Sequence, residues 1–230
     1  VNPWLAMLLG WGTGILCGLV NGGLTLSLGV HPMIITLGTM SAYRGLAIVL
    51  SSGRPISKFA RDSSFFFIGH GKLGPIPVPF IILVALTILG HVVIRRTVFG
   101  RHVCAVGSNL AAARYAGIRT GLVRLQAMML MGFLAGVAGS VTVAHLECFD
   151  PLIGTGFEMD AIGAAVIGGT SLFGGSATVI GALIGTAIIG VLRNGLVHLG
   201  VGAYWNPVVT GIIIIGAVAV GSLVKRGRRG

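Results

Sequence analysis

Charge is what this 230-residue sequence has least of: Asp, Glu, Lys and Arg together make up 9%. A soluble domain carries about 25%, so this chain cannot hydrate a globular surface of its own. Cysteine is scarce too. Three residues, Cys17, Cys104 and Cys148, are few, odd in number and partly inside apolar runs, which excludes a secreted disulfide scaffold. Acids number 5 against 16 Lys and Arg, a formal charge of +11. The basic residues sit between long apolar stretches and form no stripe interleaved with aromatics, so nucleic acid is excluded as a partner. The six histidines (His31, His70, His91, His102, His145, His198) lack metal-ligand spacing, and a lone histidine in such a chain is read as structural. No Ser-His-Asp or Cys-His set can be argued from spacing, so neither a catalytic residue nor a metal site is assigned. What is abundant is apolar: 54% hydrophobic residues, 39 glycines and a mean hydropathy of +0.97. Disorder is excluded, and a polytopic, all-α membrane bundle remains.

A helix needs about 20 mostly apolar residues to cross the hydrocarbon. Seven segments qualify as candidate spans: A (Trp4–Leu28), B (Pro32–Ser52), C (Val78–Ile94), D (Arg124–Leu146), E (Phe157–Leu172), F (Ala177–Leu196) and G (Trp205–Val224). Pro32 suits the first turn of a helix, and Gly168-Gly169 interrupts E. The chain reads as one membrane domain over 1–230, with a loop at 95–124 and a basic tail at 225–230. It opens within an apolar run and shows no basic n-region or cleavage site, and it is read as starting partway through a longer protein.

Lys and Arg resist translocation. The C–D loop holds Arg95, Arg96, Arg101, Arg114, Arg119 and Arg124 without an acid, and the tail holds Lys225, Arg226, Arg228 and Arg229. Both are therefore expected in the cytoplasm. Glu147, Asp150, Glu158 and Asp160 cluster between D and E, expected outside. This arrangement closes only if E crosses, and it leaves Arg54, Lys58, Arg61 and Lys72 outside. The reverse orientation would export ten basic residues instead of four.

Small residues recur every fourth position: Gly10, Gly14, Gly18 and Gly22 in A, Gly132 and Gly136 in D, Gly181 and Gly185 in F. Such stripes let helix backbones approach closely in lipid, and the reading is structural.

The C–D loop carries the sharpest local signal. Ser108 or Asn109 suits an N-cap, Ala111-Ala112-Ala113 favours helix, and Gly117 suits the left-handed C′ position. A two-turn helix is marginal in water and must dock on something, either the chain's own spans or a second protein. The loop resembles the coupling segment of permeases of ATP-binding-cassette (ABC) transporters. His31-Pro-Met-Ile-Ile-Thr-Leu-Gly-Thr-Met-Ser-Ala-Tyr-Arg-Gly45, Ser52-Gly-Arg-Pro-Ile56, Phe157-Glu-Met-Asp-Ala-Ile162 and Val166-Ile-Gly-Gly-Thr-Ser-Leu-Phe-Gly-Gly175 resemble the ribose-type sugar permeases of bacteria, in order and over most of the chain. Leu110 and Ala111 stand where family members usually carry acids, and members usually begin with further spans.

The resemblance implies a multi-pass protein of the bacterial cytoplasmic membrane with its C-terminus inside. It implies a second permease subunit, a cytoplasmic ATP-binding subunit on the C–D loop and an extracytoplasmic sugar-binding protein. No cofactor is expected on this chain, because the partner subunit would bind the ATP and no Walker ending is present. Gly168–Gly175 lacks Gly-Lys-Ser/Thr and is read as a tight turn between E and F. Ser108, Asn109, Ala112, Ala113, Arg114 and Gly117 are the expected coupling residues.

A sugar path needs hydroxyl, amide and guanidinium groups and an aromatic face. Thr36, Thr39 and Tyr43 share a face of span B, with Arg44 beside them. Arg44 lies ~18 Å along the helix from Pro32 at 1.5 Å per residue. A charge at that depth costs about 2.5–3.5 kcal/mol on insertion scales and must face protein or water. It either lines a path or pairs with carbonyls or an acid of the D–E loop. Asn21 in span A either hydrogen-bonds another helix or touches cargo. Thr155-Gly-Phe-Glu158 reads as a capping box in preference to a proton relay. A secondary transporter or channel that works without ATP is the alternative function, but it needs intramembrane acids or charge rings, and the five acids fall at loops or span ends.

Overall fold

The computed structural model describes residues 2–57, 64–171 and 174–200, together with Trp205, Val208, Val209, Gly211, Ile212, Ile215 and Gly216. Lys58, Arg61, most of span G and the tail at 225–230 lie outside the described residues. The helices are α1 (Pro3–Leu28), α2 (Pro32–Ser51), α3 (Phe67–His70), α4 (Val78–Arg96), α5 (Val98–Ser108), α6 (Leu110–Tyr115), α7 (Thr120–Leu146), α8 (Phe157–Ile167) and α9 (Val179–His198). Among the described residues, five are long and apolar enough to cross a membrane: α1, α2, α4, α7 and α9 over Val179–Leu196. They match spans A, B, C, D and F.

Local chemistry sets their ends. The Asn2 side chain accepts from the Trp4 N–H (3.1 Å) ahead of Pro3, and Gly29 (φ 64°) closes α1. Pro32 opens α2 as expected, with the His31 ring nitrogen accepting from the Met33 N–H at 3.4 Å. These helices bury almost nothing within the chain. Neither α2 nor α4 has a buried residue, and Leu8, Ile34, Val49, Leu50 and Ile88 stand exposed. So much exposed apolar surface on long helices requires lipid or a partner as solvent.

The chain divides into two compact units, Val1–Ala85 with Arg119–Ile153 and Leu86–Ile118 with Gly154–Gly230. In the first, α1 and α7 pack antiparallel along the glycine stripes. A Cβ on Gly14 would fall on the Gly132 carbonyl, one on Gly18 on the Met128 carbonyl, and one on Gly136 would lie 3.1 Å from the Gly10 oxygen. At one end of this pair, Phe65, Phe66 and Ala144 form a small core with Met7 and Ile68 against it. A two-strand hairpin, Lys72–Leu73 with Ile76–Pro77, follows α3.

In the second unit α8 and α9 form an antiparallel pair. Gly168 meets Gly181, and Ala164 meets Gly185, closely enough that a Cβ on any of the three glycines would strike the facing backbone. Span E differs from expectation here. Its helix stops at Ile167, because Gly169 (φ 82°) turns the chain and the N–H groups of Gly169 and Thr170 donate back to the carbonyls of Val166 and Ala165. Eleven residues reach only ~16 Å, about half the hydrocarbon thickness, so α8 alone does not cross. The expected count of seven spans therefore rested on a helix too short to cross by itself and on a segment, G, outside the described residues.

Candidate functional site: a polar cavity and an exposed capped helix

Asn21, Thr36, Thr39, Tyr43 and Arg44, named from sequence on two different spans, line one cavity of about 620 Å³ among α1, α2 and α7. That volume lies within the 300–1,000 Å³ of small-molecule sites. Tyr43 donates its hydroxyl to Asn21 Oδ1 at 3.2 Å, tying α2 to α1. The Thr36 hydroxyl donates to the Met33 carbonyl (3.1 Å) and that of Thr39 to the Ile35 carbonyl (3.0 Å). Each hydroxyl oxygen thus keeps lone pairs to accept from a guest. Arg44 is half-buried and makes no hydrogen bond or ion pair among the described residues. The acids it was weighed against are engaged elsewhere: Glu147 sits 3.8 Å from His70, and Asp150 accepts from the Leu152 N–H at 2.8 Å.

Sequence reasoning did not single out Thr13, Cys17, Met40, Met128, Met131 or Pro151, which complete the lining. The methionines carried no signal, since an apolar residue on an apolar helix looks the same whether it faces lipid or a cavity. Thr13, one helical turn from Cys17, was the detectable clue.

The C–D loop forms two helices where one was expected. The first, α5, was missed; Thr97 caps it by accepting from the Gly100 N–H at 3.2 Å. Asn109 then does double duty. Its N–H donates to the Ala105 carbonyl, ending α5, and its Oδ1 accepts from the Ala112 N–H at 3.0 Å, starting α6. Gly117 (φ 79°) takes the expected C′ place, with the N–H groups of Gly117 and Ile118 donating to Arg114 and Ala113. Of the six expected coupling residues, Ser108, Asn109, Ala112, Arg114 and Gly117 are exposed, while Ala113 is buried at 4% and anchors α6 to its own unit. Tyr115, 93% exposed at the helix end, was passed over although an aromatic after three alanines was visible in the sequence.

Capping of α8 also differs from expectation. Gly156 (φ 90°), not Thr155, occupies the N-cap, and its N–H donates to Glu158 Oε2 at 3.1 Å. The carboxylate still serves the helix start, but through the residue two before it. Asp160 does something the sequence did not announce: it pairs with Arg193 of α9, both partly buried. Residues 33 apart become neighbours only through the hairpin. His70 and His145 stack at 5.1 Å beside Glu147, and no group of three metal-ligating side chains occurs among the described residues.

Apolar helices of span length, a cavity with a few polar side chains in a mostly apolar lining and an exposed helix between two spans are the frame of a membrane permease. The family model described as "Branched-chain amino acid transport system / permease component" matches residues 1–218. The ribose import permease of Bacillus subtilis is 40% identical over 218 residues, covering 95% of this chain and 68% of that protein. The D-allose transport system permease of Escherichia coli K12 is 40% identical over 98% of this chain and 69% of its own length. The autoinducer 2 import system permease of Salmonella paratyphi B is 35% identical over 89% and 59%. No solved structure matches. The chain belongs to this permease family, and it is a multi-pass membrane protein.

Proposed function

We propose that this chain is the membrane-spanning permease subunit of an ABC importer that carries a monosaccharide, ribose-like or a related polyol, into the bacterial cytoplasm. A separate ATP-hydrolysing subunit grips α6, a second permease subunit completes the pathway, and an extracytoplasmic binding protein delivers the sugar. The two compact units act as one permease domain, with the C–D loop and the basic tail each placed in the cytoplasm by its own basic residues, independently of whether α8 crosses.

The observation that carries this reading is α6 itself. It is capped at both ends and buries Ala113, while Asn109, Ala112, Arg114 and Tyr115 are exposed to solvent. Two turns of helix are marginal alone, and a short helix so fully terminated yet so exposed is built to be held from outside. The relatives support the cargo, being import permeases for ribose and D-allose. So does the cavity, whose hydroxyl, amide and guanidinium groups beside the Tyr43 ring suit the two faces of a sugar. Asn21, Thr36, Thr39, Tyr43 and Arg44 line the path, and Ser108, Asn109, Ala112, Arg114 and Gly117 meet the motor. Nucleotide drives the cycle by binding two arrangements of the complex with different affinities.

Co-expression with an ABC ATPase subunit tests this. The two co-purify, vesicles take up D-ribose only with ATP, and Gly117→Asp or deletion of 109–117 abolishes the complex. A second reading, a carrier independent of ATP, draws on the Asp160–Arg193 pair, since ionisable groups inside membrane proteins mark proton paths. Uptake driven by a proton gradient with no ATPase present selects that reading and overturns the first.

A further inference from the structure

The residue that joins α5 to α6 sits next to a close backbone contact in its unit. Gly107 and Ser108, at the end of α5, touch Gly174 and Gly175, which lie in the connection between α8 and α9. A Cβ on Gly107 would lie 2.9 Å from the Gly175 nitrogen, one on Gly174 about as close to the Gly107 backbone (carbonyl carbon 2.9 Å), and one on Gly175 2.6 Å from Ser108 Oγ. Gly174 and Gly175 both hold φ 89°, a left-handed conformation that other residues adopt only with strain. Gly107 and Gly174 therefore meet backbone to backbone, and Ser108 brings a side chain to the contact, its Oγ and Cβ facing Gly175.

Both sides of this contact are tied to larger bodies. On one side, Asn109 is at once the end of α5 and the cap of α6, so a displacement of α6 carries Gly107 and Ser108 with it. On the other, the Gly174 N–H donates to Ser171 (3.2 Å), the Ser171 N–H to Ser176 (3.1 Å) and the Thr178 N–H to Thr170 Oγ1 (3.3 Å), while the Thr178 hydroxyl donates to the Gly168 carbonyl. Beyond them α8 and α9 are locked by the Gly168–Gly181 and Ala164–Gly185 approaches and by Asp160–Arg193. The contact lies at the surface, with Gly107, Ser108 and Gly174 exposed, but backbone abutting backbone at these distances leaves no gap that could absorb a displacement.

We propose that the Gly107–Gly174/Gly175 contact is a transmission joint: motion imposed on α6 passes through it to the α8–α9 hairpin, which moves as one rigid lever. This rests on the importer reading, and Gly107, Gly174 and Gly175 become coupling residues that touch neither nucleotide nor sugar.

The test uses the complete complex with its ATPase subunit in proteoliposomes, with radiolabelled D-ribose as cargo. ATP-driven uptake by the unaltered complex checks the importer reading before any variant is made. Gly107→Val and Gly174→Ala are then expected to keep the ATPase bound and hydrolysing within about twofold while uptake falls at least about tenfold, which amounts to 1.4 kcal/mol or more of lost coupling. Uptake within twofold of the unaltered complex overturns the joint. So does parallel loss of hydrolysis and uptake, which would make the contact one of assembly.

Discussion

Both compact units bring helices together at glycines, yet they treat charge in opposite ways. In the unit holding α1, α2 and α7, Gly14 and Gly132 let two long helices touch, and beside them Arg44 lines a cavity without a partner among the described residues. In the unit holding α8 and α9, Gly168, Gly181 and Gly185 do the same job, and the charges there close on each other as Asp160–Arg193. Charged groups within membrane proteins either pair or face water and cargo. The contrast teaches that one charge is used up in holding two helices together, while the other is left facing a cavity, where the proposed function gives it work.

The hardest blow to the shared feature is a large side chain at a glycine contact. Gly14→Leu and Gly185→Leu are each expected to cost about 3 kcal/mol, the upper end of overpacking penalties, read as a lost or lowered unfolding transition of the detergent-solubilised protein. Gly12, whose Cβ would meet nothing within 4 Å, serves as control: Gly12→Ala shifts stability by less than about 1 kcal/mol, in the favourable direction. Equal tolerance at Gly12 and Gly14 would remove close approach as the reason for the stripe.

Next comes the ion pair. Arg193→Leu strands the Asp160 carboxylate and is expected to lower stability by about 1–3 kcal/mol, the range for leaving a buried polar group unsatisfied. Asp160→Arg combined with Arg193→Asp should recover part of that loss in a double-mutant comparison. The smallest stability effect is assigned to Arg44. Arg44→Ala should unfold within about 0.5 kcal/mol of the parent, as substitutions outside packed or paired sites do, while sugar uptake falls about tenfold. If Arg44→Ala instead destabilises as Arg193→Leu does, the division between structural and functional charge collapses.

Much of this was legible in the residues. Apolar runs of span length located five helices because lipid demands continuous apolar surface, and Pro32, Asn109 and Gly117 marked ends whose hydrogen bonding is local. The convergence of Asn21 with Thr36, Thr39, Tyr43 and Arg44 could be guessed only as a shared chemistry. That they reach one cavity depends on how α2 lies on α1. Gly168-Gly169 is legible as an interruption of span E, but that the helix ends there, at Ile167, and so falls short of crossing is not, because Phe157–Leu172 is apolar beyond the helix end. Thr155 has the right residue type for a cap, but Gly156 can take φ 90° and so starts the helix one residue later.

Sequence alone settled the solvent of this protein, the helical form that such a solvent enforces and several of the places where the chain turns, since all three follow from composition and from hydrogen bonds between near neighbours. Tertiary structure alone decided which glycine meets which backbone, that Asp160 finds Arg193 while Arg44 finds no partner among the described residues, and that the end of α5 rests on Gly174 and Gly175. Those outcomes depend on contacts between residues distant along the chain, which no local pattern of side chains encodes.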